Sequence, residues 1–210
     1  MWKLLCGIGL TLFLFPMADD TPPQPGVSVE CCGRLRHGIV EIGGETTGTT
    51  ITFNRIVWEL QLNSDAQKEF AKQNNKEPVI VTGTLRKIVG IETKIRWIID
   101  VRTISKPDAT KDEEGAKMTI EGILRTADPR NGDFPEMMVR THDQVWPIDV
   151  SADAELQTRA NLFIGRCVLL TGSLERVTEQ VDDEESDTPL VVRVKTLKRS
   201  VNVPVQGQSD

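Results

Sequence analysis

One sequence pattern occurs twice in this chain, in the same order, and this internal repeat constrains the fold more than any single residue. Residues 57–62 (VWELQL) are echoed by 145–150 (VWPIDV), and residues 79–85 (VIVTGTL) by 168–174 (VLLTGSL). Residues 98–104 match 191–197. Because the spacing between the copies grows only between blocks, insertions fall where loops would tolerate them. The pattern predicts a duplicated folding unit.

Each copy has the pattern of three strands, a helix and two strands. Trp58, Leu60 and Leu62 alternate with polar residues, which is typical of a half-buried strand. Ser64 and Gln67 form a capping-box pattern that predicts a helix over 65–74. Asp153 and Gly165 bracket the matching helix. The predicted strands are 36–41, 50–54, 56–62, 79–85 and 96–104 in the first copy, and 118–125, 136–141, 145–150, 168–177 and 190–197 in the second.

Glycines occur in the first and fourth strands of each copy, where they would permit the bends that close a small barrel. We pair Gly38 with Gly122, and Gly83 with Gly172. Together with the element order, these glycines give each copy a pattern that resembles the OB-fold, a five-stranded Greek-key barrel. The resemblance implies a mainly β chain of two tandem OB-like barrels, each with a helix between strands three and four. In broad pattern the chain is similar to secreted bacterial OB-type proteins.

The termini predict an exported protein. Lys3 precedes a 12-residue apolar run over residues 4–15, which is too short to span a bilayer of about 30 Å. The predicted organisation is listed in chain order: a signal peptide over 1–18, a disordered tether over 19–30, a first domain over 31–105, a linker over 106–116, a second domain over 117–200 and a tail over 201–210. The protein would lie in the periplasm or outside the cell, or be anchored if the signal is uncleaved, with no membrane span in the mature chain.

Three cysteines remain after the signal peptide: Cys31, Cys32 and Cys167. Neighbouring cysteines rarely bond each other because the geometry is strained. In an oxidising compartment, one of the first two could pair with Cys167. Unpaired or intermolecular thiols are the alternative.

The sequence offers no recognisable catalytic or metal-binding grouping. The two histidines, His37 and His142, fall at different places in the repeat. No cluster has metal-ligand spacing, and no phosphate loop or nucleophile motif is present. We expect His37 to be solvated or locally hydrogen-bonded. The prediction is therefore a protein that is not an enzyme and needs no cofactor.

The tryptophans and the charges argue against a nucleic-acid partner. Trp58 and Trp146 are in register with aliphatic residues and are expected in the core, and Leu190 replaces Trp97 in the second copy, which also suggests burial. The net charge is −6. Acidic residues dominate two loops of the second copy and would repel phosphates. We take these loops as candidate binding loops, for a basic partner or Ca²⁺; their charged residues are Asp128, Arg130, Asp133, Asp182, Asp183, Glu184, Glu185 and Asp187.

These observations predict a non-catalytic exported protein that binds a protein, a glycan or a component of the cell envelope. A purely structural pair of domains is the alternative. A single-stranded nucleic-acid binder is a further alternative, which the acidic loops disfavour.

Overall fold

The computed structural model describes residues 27–40, 46–89, 95–108, 112–126, 136–142, 144–176 and 190–201. The first half contains β1 (Val27–His37), β2 (Thr49–Phe53), β3 (Ile56–Gln61), α1 (Asp65–Gln73), β4 (Pro78–Ile88) and β5 (Arg96–Ser105). The second half contains β6 (Gly115–Thr126), β7 (Met137–Arg140), β8 (Val145–Asp149), α2 (Ala154–Phe163), β9 (Cys167–Arg176) and β10 (Leu190–Arg199). The prediction of a mainly β protein is confirmed.

The strands of each half close into a five-stranded barrel. In the first ring, β1 pairs with β2 and β4, β2 with β3, β4 with β5, and β3 runs parallel to β5. In the second ring, β6 pairs with β7 and β9, β7 with β8, β9 with β10, and β8 runs parallel to β10. Each described strand of a ring thus has a neighbour on both sides, which is how a small β protein avoids an exposed ladder.

A seam formed by β1 and β6 joins the two rings into one ten-stranded sheet. The strands pair antiparallel, with residues 27–32 opposite residues 115–120. Val29 lies opposite Met118, and these positions are equivalent in the two halves, 89 residues apart. Val27 faces Ile120 just as Cys31 faces Ala116, so a local twofold axis passes between Val29 and Met118.

The core follows from the alternation of apolar and polar residues. Val27, Val29, Cys31, Gly33 and Leu35 of β1 are buried, while the residues between them are not. Trp58 and Trp146 are buried with 1% and 2% of their surface exposed, which confirms that both are core residues. Burying a large apolar side chain contributes about 1.5–3 kcal/mol, so these positions hold each barrel closed.

Both helices begin at side-chain caps. The Ser64 hydroxyl accepts from the backbone N–H of Gln67, and the Gln67 side chain accepts from the backbone N–H of Ser64, so the predicted capping box is present. Asp153 accepts from the N–H groups of Glu155 and Leu156. Each helix lies between the third and fourth strands of its half.

The first strand lies earlier in the chain than predicted. It occupies Val27–His37, so residues 27–30 belong to a strand and not to the tether. Gly38 follows the strand with φ +78°, and the glycine equivalent to Gly122 is Gly33. A Cβ on Gly33 would lie 2.5 Å from the Thr52 carbonyl oxygen, and one on Gly122 would lie 2.5 Å from that of Arg140. Both strands bend against a neighbouring backbone, which requires glycine.

Other boundaries fall near or outside the described residues. The second half starts with β6 at Gly115, so the last two residues of the predicted linker are strand residues. The predicted signal peptide, most of the predicted tether and nearly all of the tail lie outside the described residues. Among the helices of the described part of the chain, none has the length and apolar character to cross a membrane.

Candidate nucleic-acid interface

The acidic residues predicted as candidate binding loops lie outside the described residues. This applies to Asp128, Arg130, Asp133, Asp182, Asp183, Glu184, Glu185 and Asp187. Their role stays a prediction.

The three cysteines are free thiols, and the fold does not bring them together. Cys32 lies opposite Gly115 and Cys167 opposite Ile123. These two partners are eight residues apart on β6, which corresponds to roughly 26 Å at about 3.3 Å per residue. A disulfide needs Cα atoms within about 7 Å. Burial raises the pKa of each thiol, so none is an activated nucleophile.

An open groove of about 870 Å³ lies where the first ring meets the strand face of the second. β1 begins at Val27, opposite both Ile120 and Leu85. The last residues of β4 and the first of β5 therefore extend beyond the start of β1, beside β6, β7 and β8. We name this site the junction groove; its lining residues are Lys87, Trp97, Arg125, Thr126, Met138, Arg140, His142, Gln144 and Val145.

The junction groove is basic. Lys87, Arg125 and Arg140 are exposed, and none of them makes an ion pair with a carboxylate of the described residues. Arg125 lies opposite Met138 on β7, two residues before Arg140. The two arginines are thus diagonal neighbours on one sheet face, with Cβ atoms about 7 Å apart. Like charges held this close favour an anion between them.

Trp97 supplies an aromatic surface in the groove. It belongs to β5 of the first ring, and its ring centroid lies 5.0 Å from that of Trp146 in the second ring, with 46° between the planes. The Lys87 ammonium lies 5.8 Å from the Trp97 ring. Trp97 packs against the core but is only half-buried, so the burial expected from its replacement by Leu190 is found in part. It therefore links the two rings and keeps part of its surface available to a ligand.

The two histidines singled out in the sequence do not form a catalytic or metal-binding group with the other described residues. The His37 ring nitrogen Nδ1 lies 2.7 Å from the Thr49 hydroxyl, which confirms a locally bonded histidine. His142 is exposed at the rim of the junction groove. Among the described residues, no three His, Cys, Asp or Glu side chains form a group that could hold a metal ion.

Sequence reasoning missed the junction groove because its residues come from both copies. Lys87 and Trp97 belong to the first copy, whereas Arg125 and Arg140 belong to the second. The basic residues make no run along the chain, and only the antiparallel seam places them side by side. A signal for Arg125 and Arg140 was available, since alternation along β6 and β7 puts both on the outer face.

Comparison with known proteins supports the fold. No family model and no curated protein matches this chain. A solved structure of a deletion mutant of the single-stranded DNA binding protein from Thermus aquaticus has a TM-score of 0.50 and 14% identity, covering 86% of this chain and 97% of that chain. The wild-type protein from the same organism has a TM-score of 0.48 and 14% identity, covering 86% of this chain and 95% of that chain. At this identity the likeness concerns the fold, which is of the OB type.

These findings correct the predicted partner. We expected a protein, glycan or envelope ligand and judged nucleic acid improbable, because acidic loops would repel phosphates. The solved structure that matches with a TM-score of 0.50 is that of a single-stranded DNA binding protein, which contradicts that expectation. The expectation considered only the charge of loops in the second half. The surface where the two halves meet is basic.

Proposed function

We propose that this protein is a non-catalytic binder of single-stranded nucleic acid, which it holds in the junction groove. The observation that carries the proposal is the pair of neighbouring arginines, Arg125 and Arg140, beside the Trp97 ring and Lys87. Groups of this kind bind single strands, because cations neutralise the phosphates while an aromatic ring stacks on a base. The OB-type fold of the solved neighbours agrees with this role.

The residues of the groove bind different parts of the strand. Arg125 and Arg140 bind successive phosphates, since guanidinium groups donate two parallel hydrogen bonds to phosphate oxygens. A base stacks on the Trp97 ring and displaces Lys87, whose ammonium lies 5.8 Å from that ring. Lys87 then moves to a phosphate. A duplex keeps its bases stacked inside, so it gains the electrostatic attraction but no stacking.

We also interpret the two rings as tandem OB-like domains that arose by duplication. The equivalent positions Gly33 and Gly122, and Gly83 and Gly172, are each 89 residues apart and crowd a neighbouring carbonyl in the same way. Thr82 and Thr103 join their hydroxyls at 2.6 Å, and the equivalent Thr171 and Thr196 do so at 2.7 Å. Export of the protein remains part of the proposal and rests on the sequence alone.

Salt-dependent binding tests the electrostatic part. Fluorescence anisotropy with labelled oligonucleotides of about 16 nucleotides should detect binding at low salt. We expect K87Q/R125Q/R140Q to weaken it and to reduce the slope of log K against log salt by about 2, because each lost phosphate contact removes roughly 0.7. The matched control is K72Q/R102Q/K198Q, which removes three exposed cations that do not line the groove. Equal losses in both variants, or no binding by the wild type, would refute the proposal.

Tryptophan fluorescence tests the stacking part. A single strand should quench Trp97, and the quenching should be lost in Trp97→Phe while affinity falls only modestly, because phenylalanine still stacks. Trp97→Ala should weaken binding by about 1–3 kcal/mol. A duplex that binds as tightly as the single strand, and is equally sensitive to Trp97→Ala, would contradict a single-strand preference.

A further inference from the structure

The twofold relation between the rings generates a second surface equivalent to the junction groove. We name it the counterpart face; at the positions equivalent to Lys87, Trp97, Arg125, Arg140, His142 and Val145 it carries Arg176, Leu190, Arg36, Thr52, Asn54 and Val57. The offsets are 88 on the second and third strands, 89 on the first and fourth, and 93 on the fifth. The chemistry of the two surfaces differs at three of these six positions, those of Trp97, Arg140 and His142.

The counterpart face lacks two of the groups proposed to bind a strand, the aromatic ring and the arginine on the second strand. Leu190 replaces Trp97, so no ring is available for stacking at that position. Thr52 replaces Arg140, so the arginine nearest to Arg36 on this face is Arg34 of the same strand and not a residue of β2. In addition, β3 carries Glu59 on its outer side where β8 carries Pro147. Burial acts to raise the pKa of Glu59, but hydrogen bonds from Arg96 and Thr47 outweigh it and lower the pKa, so this carboxylate is charged at neutral pH.

Bridges between the two halves occupy the counterpart face instead. Arg176 of β9 donates from Nη2 to the backbone carbonyl of Arg55 at 3.1 Å. The backbone N–H of Asn54 donates to the Glu114 carboxylate at 2.8 Å. Asn54 and Arg55 form the turn between β2 and β3, and both have positive φ. The turn is therefore fastened to the second half from two sides, and the cation equivalent to Lys87 is already engaged.

The further cations beside Arg36 do not change this contrast. Arg34, Arg36 and Lys76 line a smaller recess of about 280 Å³ with His37 and Asn75. The recess has no aromatic ring among its described lining residues other than the His37 imidazole, which is hydrogen-bonded to Thr49. It can attract phosphate without stacking a base, which gives weak and sequence-independent attraction.

We infer that each chain binds one nucleic-acid strand, in the junction groove, and that the counterpart face serves as a structural joint between the rings. The inference rests on the proposed function. Two equivalent surfaces should therefore give one binding site and not two, because the residues at equivalent positions differ between the two halves.

The first test is stoichiometry. The full chain is titrated with an oligonucleotide of about eight nucleotides, short enough to occupy one OB surface, and native mass spectrometry counts the strands per chain. We expect one strand. Two strands of similar affinity would overturn the inference while leaving the proposed function intact, whereas no binding at low salt by the wild type would refute the proposed function itself.

The second test compares matched substitutions on the two surfaces. We expect R125Q/R140Q to weaken binding at least tenfold and R36Q/R176Q to change it less than threefold. Trp97→Ala should weaken binding roughly tenfold and Leu190→Ala should leave it nearly unchanged. Urea unfolding of all four variants identifies losses caused by unfolding. Equal weakening by the two arginine pairs in folded variants would overturn the assignment to one groove.

Discussion

At the scale of single residues, Glu59 is the clearest case of a charge placed for structure. Arg96 donates to both carboxylate oxygens at 2.6 and 2.7 Å, and the Thr47 N–H donates at 2.8 Å. Only 15% of each side chain of the pair is exposed. This bidentate pair fastens β3 to the start of β5 and to the residues before β2.

Glu59→Gln should therefore destabilise the protein in a pH-dependent way. The pKa of Glu59 is lower in the folded state than in the unfolded state. The ionised carboxylate thus contributes stability above an unfolded-state pKa of about 4.3, and this contribution is lost as the pH falls through the folded-state value. We expect Glu59→Gln to lower the free energy of unfolding by about 1–3 kcal/mol at neutral pH. The difference from the wild type should become smaller below about pH 5. Urea unfolding from pH 3 to 7 measures it.

Glu77→Gln is the control for that series, because the exposed Glu77 carboxylate makes no ion pair or side-chain hydrogen bond with any of the residues that the structure describes. If the difference in unfolding free energy between the wild type and Glu59→Gln stays constant from pH 3 to 7, the ion pair contributes no pH-dependent stability.

Single residues also show where sequence reasoning succeeds and where it fails. Gly83 was predicted as a bending glycine, and a Cβ there would collide with the Asp100 carbonyl. Gly38 was given the same role, yet a Cβ there would meet nothing within 4 Å. Both lie inside strands that were predicted from the sequence, 36–41 and 79–85. What separates them is the approach of another strand, a nonlocal contact that spacing along one chain segment does not encode.

At the scale of elements, Gln67 joins α1 to the barrel. Its side-chain oxygen accepts from the N–H groups of Asn63 and Ser64, and its Nε2 donates to the carbonyls of Val101 and Arg102, both at 3.2 Å. The second carbonyl lies at the β-bulge of β5, between the paired residues Val101 and Thr103. One side chain thus caps the helix and satisfies backbone groups of an irregular strand.

Substitutions should separate these two roles of Gln67. Ser64→Ala removes one half of the capping box and should cost about 1 kcal/mol. Gln67→Glu keeps an acceptor for the cap but removes the donor to β5, and Gln67→Ala removes both, so we expect Gln67→Ala to be the most destabilising of the three, at about 2–3 kcal/mol. Urea unfolding gives the ranking. Gln73→Ala, on the same helix, is the control, and equal costs for Gln67→Ala and Gln73→Ala would contradict the dual role.

The elements were largely predictable because their signals are local. Alternation gave β3, β4 and β8 nearly as found, and the Ser64 pattern gave the start of α1. The first strand was predicted too late in the chain. Prolines precede residues 27–32 and two cysteines lie within them, so the alternation of Val27, Val29 and Cys31 was not recognised. Their burial depends on β4 and β6, which lie on either side of β1 and far along the chain.

At the scale of the whole molecule, the seam is the feature on which the junction groove depends. Buried residues from both strands meet there, including Val29 and Met118, and Lys117 bonds Glu30 at 2.9 Å. The pairing is symmetric about Val29, so β1 of one molecule could pair antiparallel with β1 of another in the same register.

A fragment of the first half, residues 27–108, should therefore dimerise. Removing β6 exposes the edge of β1 over Val27–Cys32, and an unpaired edge recruits another strand. Pairing about Val29 would place Glu30 opposite Ser28, so no like charges meet. Sedimentation equilibrium should show a dimer with the strand content retained. A folded fragment that stays monomeric at all concentrations would contradict a self-complementary seam.

The composite groove explains why function was harder to predict than fold. Each half can be derived from its own alternation, turns and cap. The register between β1 and β6 is set by buried side chains of two distant segments, and it alone decides that Lys87 and Trp97 lie beside Arg125 and Arg140. Considered one at a time, the halves show only acidic loops and core tryptophans. Neither feature belongs to the surface where the halves meet.

The covalent link between the two rings has a consequence for dilution. In a two-chain assembly, a surface shared by both partners is lost when the protein concentration falls below the dissociation constant. Here β1 and β6 belong to one polypeptide, so their pairing is unimolecular and does not weaken as copies become scarce. A groove built from both rings therefore stays complete even where only a few molecules of this protein are present.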